Sequence, residues 1–167
     1  MAQITLKGNP INTSGDLPAV GSKAPDFKLT KSDLSDVSLA DLAGKKKILH
    51  IVPSLDTGVC AASTKQFNAK AADAGDNVIL TVSRDLPFAQ KRFCEAEGID
   101  KVIAAAEMRN RDFGKAYGIE ITDGPLAGCL GRAIVVIDES DVVKYCELVP
   151  EIAQEPNYDA ALAALSS

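Results

Sequence analysis

Residues 48–60 have the sequence ILHIVPSLDTGVC, and this stretch decides how the rest of the chain is arranged. The apolar run Ile48–Val52 predicts a buried strand, which Pro53 ends because proline has no N–H to donate to a sheet ladder. A short turn follows, and the period then becomes helical, so a helix starts near Cys60 with Thr57 or Asp56 as its N-cap. The residues at helical spacing are Cys60, Ser63, Phe67, Ala71 and Ala74.

This pattern places a cysteine in the first turn of a helix, just beyond the carboxyl end of a strand. The free backbone N–H groups and the positive end of the helix dipole both favour a thiolate there. Because the thiolate is the nucleophilic form of cysteine, the position predicts that Cys60 is reactive. The alternative from position alone is a buried structural cysteine, a common fate of free cysteines.

Length, composition and net charge limit the number of domains and the kinds of partner that the chain can have. The chain has 167 residues, 46% hydrophobic and 25% charged, which predicts one domain over residues 1–167. A net charge of −5 and the lack of a long basic cluster argue against nucleic acid as a partner. No apolar run reaches the length of a membrane span, and the first residues lack the pattern of a secretory signal. We therefore expect a cytoplasmic protein with no membrane partner.

The remaining pattern alternates strands and helices and predicts an α/β fold, with a mixed central sheet flanked by helices and an extra N-terminal β-hairpin. The hairpin joins 4–6 to 11–13 around Gly8-Asn9. Further strands are predicted at 27–30, 37–39, 77–83, 102–105, 133–137 and 142–149. Further helices are predicted from Asp85-Leu86-Pro87 to Gly98, over 111–117, and around 158–165; residues 119–131 form a long loop. The apolar stripe of the helix before Gly98 is Leu86, Ala89, Phe93 and Ala96, with Cys94 beside it.

The cysteines and the single histidine exclude several kinds of site. No two of the four cysteines have C-x-x-C spacing, so neither a metal centre nor another cofactor is predicted. His50 lies on the strand that leads to Cys60, where a core hydrogen bond is a better interpretation than catalysis. Cys146 falls in a strand and is predicted to be core, and the role of Cys129 in the long loop stays open.

Several motifs carry a resemblance to a known family. Pro53-x-x-x-Thr57-x-x-Cys60 matches the active-site signature of peroxiredoxins, and the chain from Ile4 to Leu165 resembles their bacterial thiol peroxidase subfamily, the atypical two-cysteine peroxiredoxins. The resemblance implies a thioredoxin-like fold, in which Thr57 takes the place of the first cysteine of a C-x-x-C motif. The supporting stretches are 53–63, 85–90, 92–94, 123–126 and 131–133.

The resemblance also implies roles for five residues. Cys60 would be the peroxidatic cysteine, and Cys94 the resolving cysteine that forms a disulfide with it in the same chain. Thr57 would hydrogen-bond the sulfur and the peroxide, Arg132 would stabilise the thiolate and hold the peroxide oxygens, and Pro53 would shield the sulfur. The alternatives without a catalytic role are that Thr57 is only an N-cap and that Arg132 is a surface charge. Because each cysteine is fixed in its own helix, we expect the disulfide to require local unwinding.

The implied partners are peroxides, thioredoxin as reductant and a second copy of the chain in a homodimer. The substrates would be hydrogen peroxide and alkyl or lipid hydroperoxides, and the apolar Leu55 and Phe88 favour the organic ones. Two other functions stay open at this point. The chain could be a thioredoxin-like disulfide exchange protein, against which the missing C-x-x-C argues, or a redox-sensing interaction module.

Overall fold

The computed structural model describes residues 1–70 and 77–166, so Ala71 and Ala74 of the first predicted helix lie outside the described residues. Within these ranges no helix is both long enough and apolar enough to cross a membrane. The strands are β1 (Gln3–Leu6), β2 (Asn9–Asn12), β3 (Lys28–Lys31), β4 (Asp36–Ser38), β5 (Lys47–Ile51), β6 (Val78–Ser83), β7 (Ile103–Ala106), β8 (Ala133–Ile137) and β9 (Val143–Leu148). The helices are α1 (Gly58–Lys70), α2 (Pro87–Glu97), α3 (Asp112–Ala116) and α4 (Tyr158–Ser166).

Seven of the described strands form one sheet, in the order β4-β3-β7-β6-β5-β8-β9. The central strand β5 pairs in parallel with β6 and antiparallel with β8, so the predicted mixed sheet is confirmed. Every residue of β5 and β8 is buried, because helices and loops cover both faces. On one face α1 and α4 pack through Phe67, Ala161 and Leu165. On the other face α3 and the residue that follows it contribute Phe113 and Tyr117.

The N-terminal hairpin is present, but its turn lies one residue earlier than predicted. Leu6 pairs with Asn9, so the two-residue loop is Lys7-Gly8 rather than Gly8-Asn9. Both loop residues have positive φ, 50° and 82°, as a type I′ turn requires. Glycine therefore takes the second loop position, where a left-handed backbone costs it little.

The buried face of α2 differs from the predicted apolar stripe. Leu86 is 55% exposed, whereas Pro87 and Gln90 are buried. The Gln90 amide donates from Nε2 to the Ser83 hydroxyl at 3.1 Å and to the Ala105 carbonyl at 3.2 Å, so α2 packs on the sheet through a polar contact. The predicted end of the helix is confirmed, since Gly98 is left-handed and its N–H donates to the Cys94 carbonyl.

Lys47 precedes the apolar run Ile48–Val52 from which the central strand is predicted, yet it is the first residue of β5 and is fully buried. Its ammonium forms an ion pair with Asp141 in the turn between β8 and β9 and donates to the Asp138 carbonyl at 3.3 Å. A buried lysine is tolerated where a carboxylate pairs with it. The partner comes from a turn 94 residues away in sequence, which explains why local reasoning missed it.

Candidate active site

Cys60 lies in the first turn of α1, just past the end of β5, as predicted. The ladder of β5 ends at Val52, whose N–H still donates to the Val82 carbonyl at 3.0 Å, and the buried Pro53 follows. The Thr57 hydroxyl accepts a hydrogen bond from the Cys60 N–H at 3.3 Å. This contact confirms Thr57 as the N-cap and fixes the backbone of Cys60 at the positive end of the helix.

The sulfur of Cys60 is in contact with a buried cation. Arg132 Nη2 donates to Cys60 Sγ at 3.1 Å, and both residues are buried, with exposed fractions of 1% and 0%. Arg132 Nε donates to the Ile152 carbonyl at 2.8 Å, which fixes the orientation of the guanidinium. Its Nη1 has no hydrogen-bond partner among residues 1–70 and 77–166. A fixed positive charge beside a buried sulfur favours the thiolate.

Sheet pairing explains how Arg132 reaches Cys60 across 72 residues of sequence. Strand β8 runs antiparallel to β5, and Ala133 at its start pairs with Ile51 at the end of β5. Arg132 therefore lies at the edge of the sheet where β5 ends and the chain continues into α1. Its carbonyl accepts from the Val149 N–H at 3.0 Å, so the residue that follows β9 also anchors Arg132.

Thr57 and Pro53 lie in the turn before α1, and they differ in exposure. Pro53 is buried, while Thr57 is exposed and its hydroxyl also donates to the Ser54 carbonyl at 3.3 Å. Beside this turn lies a cleft of about 500 Å³, between the turn and α2. Its lining includes Leu55 from the turn and Phe93 from α2, both of which also pack against Cys60 or its neighbours. The cleft therefore borders residues that pack around Cys60, while the cysteine itself is fully buried.

Asp85, which the sequence did not single out as a site residue, contacts the same turn. Its Oδ1 accepts from the Ser54 hydroxyl at 2.7 Å, and its Oδ2 accepts from the Leu55 N–H at 2.8 Å. Oδ2 also accepts from the Ser83 hydroxyl at 2.7 Å. The sequence marked Asp85 only as the start of α2 and as part of the matched stretch 85–90, and neither signal indicated a contact to another segment.

Cys94 lies in the last half of α2 and contacts a different apolar cluster from that of Cys60. It is half-buried and packs against the cluster that contains Ile48 and Phe67, whereas Cys60 forms a cluster with Val52 and Leu55. The pKa of the Cys94 thiol is raised, mainly by burial and further by the neighbouring Glu95. It also lines a second cleft of about 580 Å³ on the far side of α2. All four cysteines are free thiols.

The two remaining cysteines have different surroundings. Cys146 is half-buried in β9, its Sγ contacts the Pro18 carbonyl at 3.1 Å, and burial raises its pKa to about 11. It packs against the main core, as the sequence predicted. Cys129 is also half-buried, among the residues under the N-terminal hairpin, and burial raises its pKa while Arg84 opposes the shift.

His50 is fully buried on β5 and belongs to the core. Its Nδ1 lies 3.2 Å from the Thr81 hydroxyl, and its ring lies 4.7 Å from that of Phe67. Burial, together with the positive charge of Arg132, lowers the pKa of His50 to about 3. The imidazole is therefore neutral at physiological pH and supplies a core hydrogen bond, in agreement with the interpretation from sequence.

Because His50 is buried in its neutral form, we expect the free energy of unfolding to decrease in mild acid. An unfolded histidine has a pKa of about 6.5, so below that pH the unfolded chain binds a proton that the folded chain does not. The contribution to stability is complete above about pH 6.5 and declines as the pH falls towards the folded value of about 3. Between about pH 7 and about pH 5 this residue should cost about 2 kcal/mol of unfolding free energy. Urea titrations at the two pH values should show a smaller difference for His50→Gln; equal differences would contradict the assignment.

Comparisons with known proteins show what this chain is similar to. A family model described as Redoxin matches residues 19–162. The thiol peroxidase of Mycobacterium tuberculosis is 59% identical over 167 residues, covering 100% of each chain. The thiol peroxidase of Leptospira interrogans is 54% identical over 169 residues, covering 100% of this chain and 99% of its own. A crystal structure of a peroxiredoxin-like protein from Aquifex aeolicus superposes with a TM-score of 0.93 at 41% identity, covering 99% of this chain and 96% of that one.

Proposed function

The chain belongs to the Redoxin family, where it is one of the thiol peroxidases, which are peroxiredoxin enzymes, and we propose that Cys60 is its peroxidatic nucleophile. The observation that carries this assignment is the 3.1 Å contact between Cys60 Sγ and the buried guanidinium of Arg132. The thioredoxin-like fold expected from the sequence is shared with the solved relatives. Peroxide substrates follow from the membership, and the individual steps below are proposals that the geometry of the site supports.

In the first step the Cys60 thiolate attacks one peroxide oxygen in line with the O–O bond. An S–O bond forms and the O–O bond breaks, so the sulfur is oxidised by two electrons to a sulfenic acid and the peroxide is reduced. The leaving oxygen takes the electron pair and a proton from solvent and departs as water or an alcohol. Arg132 stabilises the negative charge on this oxygen, because its guanidinium already lies beside the sulfur.

Thr57 and Pro53 shape the space in which this step occurs. The Thr57 hydroxyl lies 3.3 Å from the Cys60 N–H, within the same helical turn, so a small rotation can turn it towards a bound peroxide. Pro53 is buried at the end of β5 and restricts the backbone that enters the turn. We assign both residues to positioning of the peroxide and protection of the sulfur from bulk water.

In the second step the Cys94 thiol attacks the sulfenic acid, so an S–S bond forms and water leaves. The Cα atoms of a disulfide lie within about 7 Å, which two cysteines in separate intact helices do not readily achieve. The inward residues of the first turns of α1 are the small or polar Cys60, Ser63 and Thr64. Unwinding this end of the helix therefore exposes little apolar surface. Exposure of Cys94 would also remove the burial that raises its pKa and so increase its thiolate fraction.

The disulfide is then reduced by a dithiol protein, for which we propose thioredoxin. A bond formed by unwinding two segments is strained or exposed, and such disulfides are the ones that thiol exchange reduces readily. The substrates we propose are hydrogen peroxide and organic hydroperoxides. Leu55 supports the organic class, because this buried residue packs against Cys60 and also lines the cleft. Phe88 is 64% exposed and would contact only the outer part of a larger peroxide.

The exposed residues at the start of α2 support the proposal of a homodimer. Leu86 is 55% exposed and Phe88 64%, and both lie next to the segment that borders the cleft. Apolar side chains of this size are usually covered when they cluster on a surface. Phe88→Asp is expected to shift the chain from dimer towards monomer in sedimentation velocity, with Val20→Asp, at another exposed apolar residue, as the control. A monomeric wild-type chain at all concentrations would contradict the proposal.

Peptide mapping after one equivalent of hydrogen peroxide tests the disulfide. We expect a Cys60–Cys94 crosslink within one chain, which thioredoxin with its reductase and NADPH then removes. Cys94→Ser should still react once with peroxide but should accumulate sulfenic acid, whereas Cys146→Ser should behave as wild type, because Cys146 lies in the core away from both segments. A Cys60–Cys129 bond or a bond between two chains would overturn this scheme.

A further inference from the structure

Asp85 holds two separate segments of the site with one carboxylate. Ser54 and Leu55, which it contacts on one side, belong to the turn that precedes Cys60. On the other side Asp85 stands two residues before α2, the helix that carries Cys94. These segments meet because β5 and β6 are parallel neighbours, with Ile51 opposite Val82, so that both chains leave the sheet at the same edge.

The contacts of this carboxylate are strong but reversible. Hydrogen bonds to an ionised acceptor are shorter and stronger than those between neutral groups, and the three side-chain or backbone donors lie at 2.7–2.8 Å. None of the ion pairs formed within residues 1–70 and 77–166 includes Asp85, so its charge is compensated by these donors and by solvent. Because Asp85 is only half-buried and lines the cleft, water can replace the donors when the turn opens.

We propose that Asp85 is a positioning residue that latches the 54–57 turn to the start of α2 and is released when Cys60 moves to meet Cys94. The inference rests on the proposed function, in which the folded turn reacts with peroxide and the opened turn forms the disulfide. A latched turn keeps Cys60 beside Arg132 for the first step. Release of the latch frees both cysteine-bearing segments together for the second step.

The negative charge of Asp85 and its hydrogen bonds to the turn predict opposite changes in the peroxide reaction rate when the carboxylate is removed. Leu55 donates its N–H to Asp85 and packs with Cys60 in one apolar cluster, so this residue links the carboxylate to the surroundings of the sulfur. Negative charge disfavours a thiolate, so removing the charge of Asp85 would by itself speed the reaction with peroxide. Loss of the latch should instead slow the reaction with peroxide, because a smaller fraction of the molecules has Cys60 in the folded turn.

The test compares Asp85→Ala with Asp56→Ala, which removes an exposed carboxylate from the same turn. The rate of reduced enzyme with hydrogen peroxide is measured by competition with a reference peroxidase. Overoxidation of Cys60 to sulfinic acid at high peroxide is measured by mass spectrometry. We expect Asp85→Ala to react about tenfold more slowly and to overoxidise less, because its opened turn reaches Cys94 sooner. Asp56→Ala should stay within about twofold of wild type in both measurements.

A rate for Asp85→Ala at or above that of wild type would overturn the latch, as would a slower reaction with unchanged overoxidation, which a merely structural role would give. Asp85→Asn keeps the shape of the side chain and should fall between wild type and Asp85→Ala, so it serves as the measured variant if the alanine protein does not fold. Cys60→Ser separates the two hypotheses. If it retains turnover, the proposed function fails; if it loses turnover while Asp85→Ala behaves as wild type, only the latch fails.

Discussion

Replacing Cys60 with serine is expected to lower peroxide turnover at least about 1,000-fold, because a serine hydroxyl is not ionised at neutral pH and has no base beside it. The buried side chain at this position contacts Arg132, and the serine hydroxyl can accept the same hydrogen bond. The fold should therefore persist, with an unfolding midpoint close to that of wild type. Turnover is measured by NADPH oxidation in the presence of thioredoxin and its reductase.

Cys146→Ser is the matched control for this prediction, since it makes the same change in a half-buried cysteine of β9. It should retain nearly full turnover. Near-wild-type activity in Cys60→Ser would remove Cys60 from the reaction altogether. Loss of activity together with loss of the folded circular dichroism spectrum would show only that the residue is needed for folding.

Arg132→Met is expected to slow peroxide reduction about 100-fold, comparable to the loss of one preorganised donor at a developing negative charge. The cation at 3.1 Å from the sulfur is lost in this variant, so no fixed positive charge remains to stabilise the leaving oxygen. The second-order rate with hydrogen peroxide, measured by competition with a reference peroxidase, gives the test. Methionine fills much of the buried volume, so the packing is largely kept. Because methionine has no N–H in its side chain, the Ile152 carbonyl loses one hydrogen-bond donor.

Two further variants decide what the arginine contributes. Arg132→Lys keeps the charge but not the planar fork that reaches both Ile152 and Cys60, so it should fall between wild type and Arg132→Met. Arg109→Met makes the same substitution at a partly exposed arginine paired with Asp36, and should leave the rate unchanged. An unaltered rate in Arg132→Met would take this residue out of the site.

Sequence reasoning succeeded where the information was local. The apolar run before Pro53, the change of period at Cys60 and the glycine at the end of α2 fixed these elements to within one or two residues. It failed for the buried face of α2, where Gln90 takes an inward position because Ser83 and Ala105 supply its hydrogen-bond partners. Those partners lie on two different strands, so no pattern within the helix could indicate that a glutamine would be buried.

The sequence by itself determined that Cys60 lies in the first turn of a capped helix, because the cap residue and the change of period are local signals. Family resemblance named Arg132, although its position in the chain favoured a surface charge. Only the tertiary structure decided where this side chain goes, because the antiparallel pairing of β8 with β5 brings it to the end of the central strand. The same holds for Asp85, whose donors in the Cys60 turn come from a segment 30 residues earlier in the chain. Hydrogen-bond partners that meet across a sheet depend on strand order and register, which local periodicity does not encode.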